Sequence, residues 1–155
     1  MIEQPARRLT LQSPLGPLTL EEEGGNLVAL GWGENHYESG TILLAEAHRQ
    51  LEDYFKGRRQ AFDLPLAPRG TAFQQRVWQR LREIPYGRTL SYGVLAAALS
   101  TGPRAVGMAC ARNPLPLLIP CHRVIGSNGA LTGYSGGEGL ATKRYLLRLE
   151  GAIRS

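Results

Sequence analysis

Residues 64–70, Leu-Pro-Leu-Ala-Pro-Arg-Gly, most limit the folds open to this chain. Proline fixes its own φ and lacks an amide proton, so Pro65 and Pro68 rule out a helix or a central strand here. The charge changes sign at the same place. Residues 1–70 hold 7 Lys/Arg against 10 Asp/Glu, whereas residues 71–155 hold 11 against 3. A proline-punctuated break at a change of charge predicts a linker between two domains, 1–68 and 69–155.

The uneven charge also bears on function. A charge of +8 gathered in the second half, within a net charge of +5, is the footprint of a polyanionic partner, and nucleic acid is favoured over a merely uneven solvated surface. No apolar run approaches the roughly 18 residues of a membrane span. The start, Met1-Ile2-Glu3-Gln4-Pro5, lacks the layout of a signal peptide. The expectation is a cytoplasmic protein with no membrane partner and with reduced thiols. Two cysteines, Cys110 and Cys121, make no disulfide scaffold. With no C-x-x-C pair, and with His36 and His48 far off, no metal site is expected.

In the first part, Leu9 and Leu11 alternate with polar neighbours, as do Leu18 and Leu20. Turns at 14–16 and 24–26 and a third run at 27–32 predict an antiparallel meander. Ser39 is a candidate cap for a helix to about residue 56, with Leu44, Ala47, Leu51, Tyr54 and Phe55 on one face. His48 reads as a surface residue of that helix.

In the second part, Thr71-Ala72-Phe73-Gln74 matches a capping box and opens a helix with Phe73, Val77, Trp78 and Leu81 on its apolar face. Two short helices follow. Ser91 caps the first, Thr101-Gly102 turns the chain, and Pro103 opens the second, which runs to about residue 112. Helix, glycine turn, helix is a helix-turn-helix pattern, a weak signal by itself. Its second helix is rich in alanine and glycine, which suits either close helix packing or a close approach to a nucleic-acid groove. Cys110 within it reads as a small buried hydrophobe. Asn113, preceding Pro114, ends it. A last helix is expected over about 140–150, stopped by Gly151.

Cys121 stands apart from Cys110. Pro116 and Pro120 are expected to hold the chain before it extended, presenting the thiol at a fixed point. A thiol becomes a nucleophile as its thiolate, which requires an activator. His122 is adjacent, but neighbours on an extended strand point to opposite faces, so contact through a water or a bent backbone is expected. An acid should orient the imidazole, and spacing does not choose between Glu138 and Glu150.

Ile119-Pro120-Cys121-His122-Arg123-Val124-Ile125, followed by Gly133-Tyr134-Ser135-Gly136-Gly137, resembles the signature of the O6-alkylguanine-DNA alkyltransferases, also called methylated-DNA–protein-cysteine methyltransferases. The likeness extends through Pro85-Tyr86-Gly87, Ser91-Tyr92, Arg104-Ala105-Val106-Gly107, Asn113-Pro114 and residues 147–151. It covers residues 71–155 in order, and the first part resembles the family in layout only.

The resemblance implies an α+β protein, with a small ribonuclease-H-like domain of antiparallel sheet and helix before a winged-helix-like DNA-binding domain. It implies a monomer that binds duplex DNA containing alkylated guanine, flips the base and moves its alkyl group irreversibly onto Cys121, without cofactor. O4-alkylthymine is the implied secondary substrate. His122 would be the base, Glu150 its orienting acid, Tyr92 the proton donor beside the flipped base, and Asn113 the brace of the turn. Val124, Tyr134 and Ser135 would line the pocket, with the carbonyls of Cys121 and Val124 accepting from the guanine amine. Arg104 would fill the gap in the stack, with Ala105, Arg112 and Arg123 also facing DNA. Some members carry zinc in the first domain; its cysteines are absent here. The rival readings are a damage-recognition factor without transfer, a helix-turn-helix regulator and a turnover cysteine hydrolase.

Overall fold

The computed structural model describes residues 6–33, 35–134 and 136–154. The chain divides into two compact units, Met1–Arg69 and Gly70–Ser155. In the first, β1 (Arg7–Leu11), β2 (Leu18–Glu23) and β3 (Asn26–Trp32) form an antiparallel sheet in that order. Leu9 faces Leu20 and Thr10 faces Thr19 across β1 and β2. The period of two turns Leu18, Leu20 and Leu30 inward, and a register shift at Glu21/Glu22 brings Leu27 to the same side. Helix α1 (Ile42–Phe55) contributes Leu44, Ala47, Leu51 and Tyr54 to the buried set.

One expectation for this unit is corrected, and the linker gains a structural detail. The cap of α1 is Thr41, whose hydroxyl accepts from the Leu44 amide at 3.0 Å, and not Ser39. Ser39 is still tied to the sheet through its amide on the Arg8 carbonyl, and Glu38 bridges Leu9, so the chain cannot yet coil. The proline-rich stretch is no free tether either. Leu66 runs parallel to Leu27, which donates to the Pro65 carbonyl and accepts from the Ala67 amide, both at 2.9 Å. Prolines flank this short edge pairing where no donor is required. Buried Gln50 pairs with the backbone of Asp63 through both ends of its amide, fixing the segment between α1 and this edge.

In the second unit, Thr71 and Gln74 complete the capping box of α2 (Ala72–Arg82), which buries Val77, Trp78 and Leu81. The Trp78 indole donates to the Ala109 carbonyl at 2.9 Å, tying α2 to the second helix of the pair. That pair is α3 (Tyr92–Ala98) and α4 (Pro103–Ala111), bent by 102° about a turn in which Ser100 is left-handed. This angle is that of a helix-turn-helix. Val106, Ala109 and Cys110 face inward on α4, while Arg104, Met108 and Ala111 face out. Helix α5 (Leu140–Leu149) closes the unit, capped by Glu150, with Gly151 in the left-handed conformation. No single helix among the described residues is long and apolar enough to cross a membrane.

A short parallel ladder, absent from the sequence expectations, positions the site. Strand β4 (Leu90–Ser91) pairs with β5 (Val124–Ile125), Leu90 opposite Val124 and Ser91 opposite Ile125. It brings the start of α3, and so Tyr92, beside the end of the Cys-His turn.

Candidate active site

The segment before Cys121 is a folded turn rather than the expected extended run. The Ile119 amide donates to the Leu115 carbonyl at 2.8 Å, and Leu117 is left-handed. Buried Leu115, Leu117, Leu118 and Ile119 root it in the core, which explains how an unfavourable φ is sustained. Asn113 ties it together: its amide nitrogen donates to the Ile119 carbonyl at 2.8 Å and its oxygen accepts from the Leu115 amide at 2.9 Å. The Cys121 amide then donates to the same Ile119 carbonyl. Cys121, His122 and Arg123 form one turn of 3-10 helix, so the backbone is bent where a flat strand was expected.

Cys121 is 8% exposed. Burial pushes its thiol above the ordinary cysteine value, and a hydrogen bond from Asn113 and the charge of Lys143 pull it back. Cys110 is buried, as the sequence suggested, and its thiol is pushed up to about 12 by burial and by Cys121.

His122 is fully buried, and its Nε2 lies 2.8 Å from Glu150 Oε2. A carboxylate only accepts, so Nε2 carries the proton and Nδ1 keeps its lone pair. Nδ1 is buried with no hydrogen-bond partner among the described residues. Burial holds the imidazolium below the usual histidine value despite Glu150, which leaves a neutral ring able to take a proton. Of the two acids that spacing left open, Glu150 is the one that holds the imidazole.

Arg123 corrects an expectation. It is buried, with Nε on Glu150 Oε1 at 2.8 Å, Nη2 on Oε2 at 2.9 Å and Nη1 on the Ile84 carbonyl at 2.6 Å. Its guanidinium is consumed in fixing Glu150 and does not face a DNA surface. Arg104 and Arg112 are exposed and Ala105 half-exposed on α4, as a DNA-facing role requires.

On the other side of the thiol, the Tyr92 hydroxyl donates to the Thr132 carbonyl at 3.2 Å. Burial, then the nearby thiols Cys110 and Cys121, push it up to about 12, so it stays protonated at neutral pH. Gly133 has φ +73, and a Cβ there would stand 2.9 Å from the Tyr92 oxygen, so only glycine fits beside this ring. Tyr134 is raised by burial, and its hydroxyl has no partner among the described residues. Ser135 lies outside the described residues.

Sequence reasoning missed Lys143. It is 0% exposed, and its ammonium donates to the Val124 carbonyl at 2.5 Å and the Thr132 carbonyl at 2.7 Å, 5.6 Å from the Tyr92 ring centroid. Burial lowers its pKa, and the thiols Cys121 and Cys110 oppose that. No carboxylate pairs with it among the described residues. A signal was present: Lys143, Leu147 and Glu150 recur at helical spacing on one face of α5, and a charged residue on an apolar stripe is rarely buried without purpose. No group of three or more His, Cys, Asp or Glu suited to a metal occurs among the described residues.

A buried thiol beside an imidazole oriented by a carboxylate, set behind an arginine-bearing helix-turn-helix, defines a cysteine nucleophile on a nucleic-acid-binding scaffold. Residues 72–152 match the family model of the 6-O-methylguanine DNA methyltransferase DNA binding domain, and residues 7–68 that of its ribonuclease-like domain. The chain belongs to this family. It is 46% identical to a methylated-DNA–protein-cysteine methyltransferase of Methanosarcina acetivorans, over 91% of this chain and 96% of that protein. The constitutive methylated-DNA–protein-cysteine methyltransferase of Bacillus subtilis is also 46% identical, over 91% and 93%. Among solved structures, Mycobacterium tuberculosis OGT in complex with DNA superposes with a TM-score of 0.84 at 45% identity, covering 94% of this chain and 93% of that one.

Proposed function

We propose that this protein repairs duplex DNA by a single, irreversible transfer of the alkyl group of O6-alkylguanine to Cys121, with O4-alkylthymine as a secondary substrate. It acts as a monomer in the cytoplasm, without cofactor. The chemistry belongs to the domain 69–155, accompanied by the domain 1–68. The observation that carries the reading is the buried bond of His122 Nε2 to Glu150, which leaves Nδ1, on the residue that follows Cys121, to act as a base. Family membership and the DNA-bound relative support it.

In this mechanism His122 Nδ1 takes the thiol proton through a bridging water, and Glu150 stabilises the imidazolium that forms. The thiolate attacks the alkyl carbon in line; the S–C bond forms as the C–O6 bond breaks and its electron pair leaves with guanine. Tyr92, protonated at neutral pH, donates to the departing base and is reprotonated by solvent while the imidazolium returns its proton to solvent, so overall the thiol's proton ends on guanine. Asn113 braces the turn. The carbonyls of Cys121 and Val124 accept from the guanine amine, and Tyr134 and Ser135 line the pocket. Lys143 supplies the positive charge that offsets the thiolate in a buried site, where a cation is worth more than in bulk water. The product thioether has no group to expel the alkyl, so each molecule reacts once. Arg104 fills the space of the flipped base, while Ala105 and Arg112 face the duplex.

The test is stoichiometry on a duplex carrying one labelled O6-methylguanine. The expected result is one methyl per protein on the peptide containing Cys121, and none in Cys121→Ala. Tight lesion binding without label on the protein would mean a recognition factor. Equal affinity for damaged and intact DNA, with no transfer, would overturn the repair reading.

A further inference from the structure

Between Arg104 and Arg112, the outward side of helix α4 is built of small residues with one exception. Met108 is 62% exposed, while its neighbours toward solvent include Ala105, Gly107 and Ala111. It lies one turn after Arg104 and one turn before Arg112, on the stripe that points away from Val106, Ala109 and Cys110. In a helix-turn-helix this outward stripe of the second helix is the side that meets DNA. A long side chain standing there either holds the helix off the groove or enters it. We infer that Met108 is an apolar wedge that enters the groove of the bound duplex against which α4 lies, about two base-pair steps from Arg104.

The spacing follows from geometry. Four residues advance about 6 Å along a helix, against about 3.4 Å for each base step. Minor-groove proteins use methionine among the apolar side chains that press between or against bases, and its unbranched thioether adapts to an irregular gap. The charges on either side select the occupant. Arg104, which fills the gap in the stack, and Arg112, which seeks phosphate, flank Met108, so the face offers one apolar contact between two cations that suit a polyanion. A protein partner or a second copy would need a much wider apolar surface than one methionine supplies. A recess beside Met108, bounded by Phe73 at the start of α2, leaves room for a sugar edge against the thioether.

The inference rests on the DNA-repair reading above, and its test separates the two. Binding of a fluorescent O6-methylguanine duplex is measured at several salt concentrations for the wild type, Met108→Ala, Met108→Leu and Arg112→Ala. Met108→Ala is expected to bind about tenfold more weakly with an unchanged salt slope, because the loss is apolar burial and not a phosphate contact. Met108→Leu should restore most of the affinity. Arg112→Ala should instead flatten the slope by about one. Transfer from free O6-benzylguanine, which needs no groove, should be the same in Met108→Ala as in the wild type. Binding of Met108→Ala within twofold of the wild type overturns the wedge, as does a loss that follows the salt slope. Loss of self-association in sedimentation, with DNA affinity intact, assigns the methionine to a second copy and overturns it too. A wild type that takes no alkyl group from free base or duplex refutes the repair chemistry, while its affinities still decide the wedge.

Discussion

The buried charges around Cys121 are unequal. Glu150 is shared by His122 and Arg123, whereas Lys143, among the described residues, meets carbonyls and the face of Tyr92 and no carboxylate. The anion that Lys143 lacks is the Cys121 thiolate, which forms only when the site reacts. Lys143→Met removes the cation that draws the thiol's pKa down, so that pKa rises further. The pH–rate curve for alkylation of Cys121 by iodoacetamide should move to higher pH. A shift of about one unit would cost about tenfold in rate at pH 7. A packing defect alone would scale the curve without moving it. Glu150→Gln acts on stability instead. It leaves a buried guanidinium without its counter-charge, which should cost about 3–5 kcal/mol in urea unfolding.

At the scale of elements, alternation and capping chemistry made the meander, the capping box of α2 and the proline-opened α4 legible before any coordinates. Ser39 failed as a cap because Glu38 and Ser39 are held by β1, a tertiary contact that local preference cannot register. The turn before Cys121 failed for a related reason. Its prolines suggested extension, but Asn113 and four buried apolar side chains fold it back. The β4–β5 ladder is two residues long, too short to leave a pattern in sequence, yet it carries Tyr92 to the thiol. Residue types made Cys121 and His122 visible; only the packing of α5 showed Lys143 buried and Arg123 turned inward. The loop over the site is equally constrained. Gly133→Ala meets both a left-handed φ and the Tyr92 hydroxyl. A loss of about 1–3 kcal/mol in thermal unfolding is expected, with slower alkyl transfer as Tyr92 shifts.

At the scale of the whole molecule, the reaction is an irreversible change to a close-packed interior. Cys121 is 8% exposed, so the transferred methyl adds bulk to a side chain that its neighbours already hem in. Overpacking of this kind costs about 1–3 kcal/mol. In a chain of 155 residues that corresponds to a Tm lower by several degrees, at about 2–4 °C per kcal/mol. Calorimetry before and after reaction with excess methylated duplex tests this; an unchanged Tm would mean the site accommodates the group without strain.

The position of α5 along the chain has a consequence for biosynthesis. Cys121 is translated before Lys143 and Glu150, the two residues that supply its cation and orient its base. Translation proceeds at about 5–20 residues per second, so for a few seconds the nascent polypeptide carries a thiol that nothing has yet armed. A one-shot acceptor is open to loss during that delay. Stray electrophiles met on the ribosome find an ordinary, accessible cysteine, and it is folding, which buries the thiol and raises its pKa, that keeps the single turnover for the finished molecule.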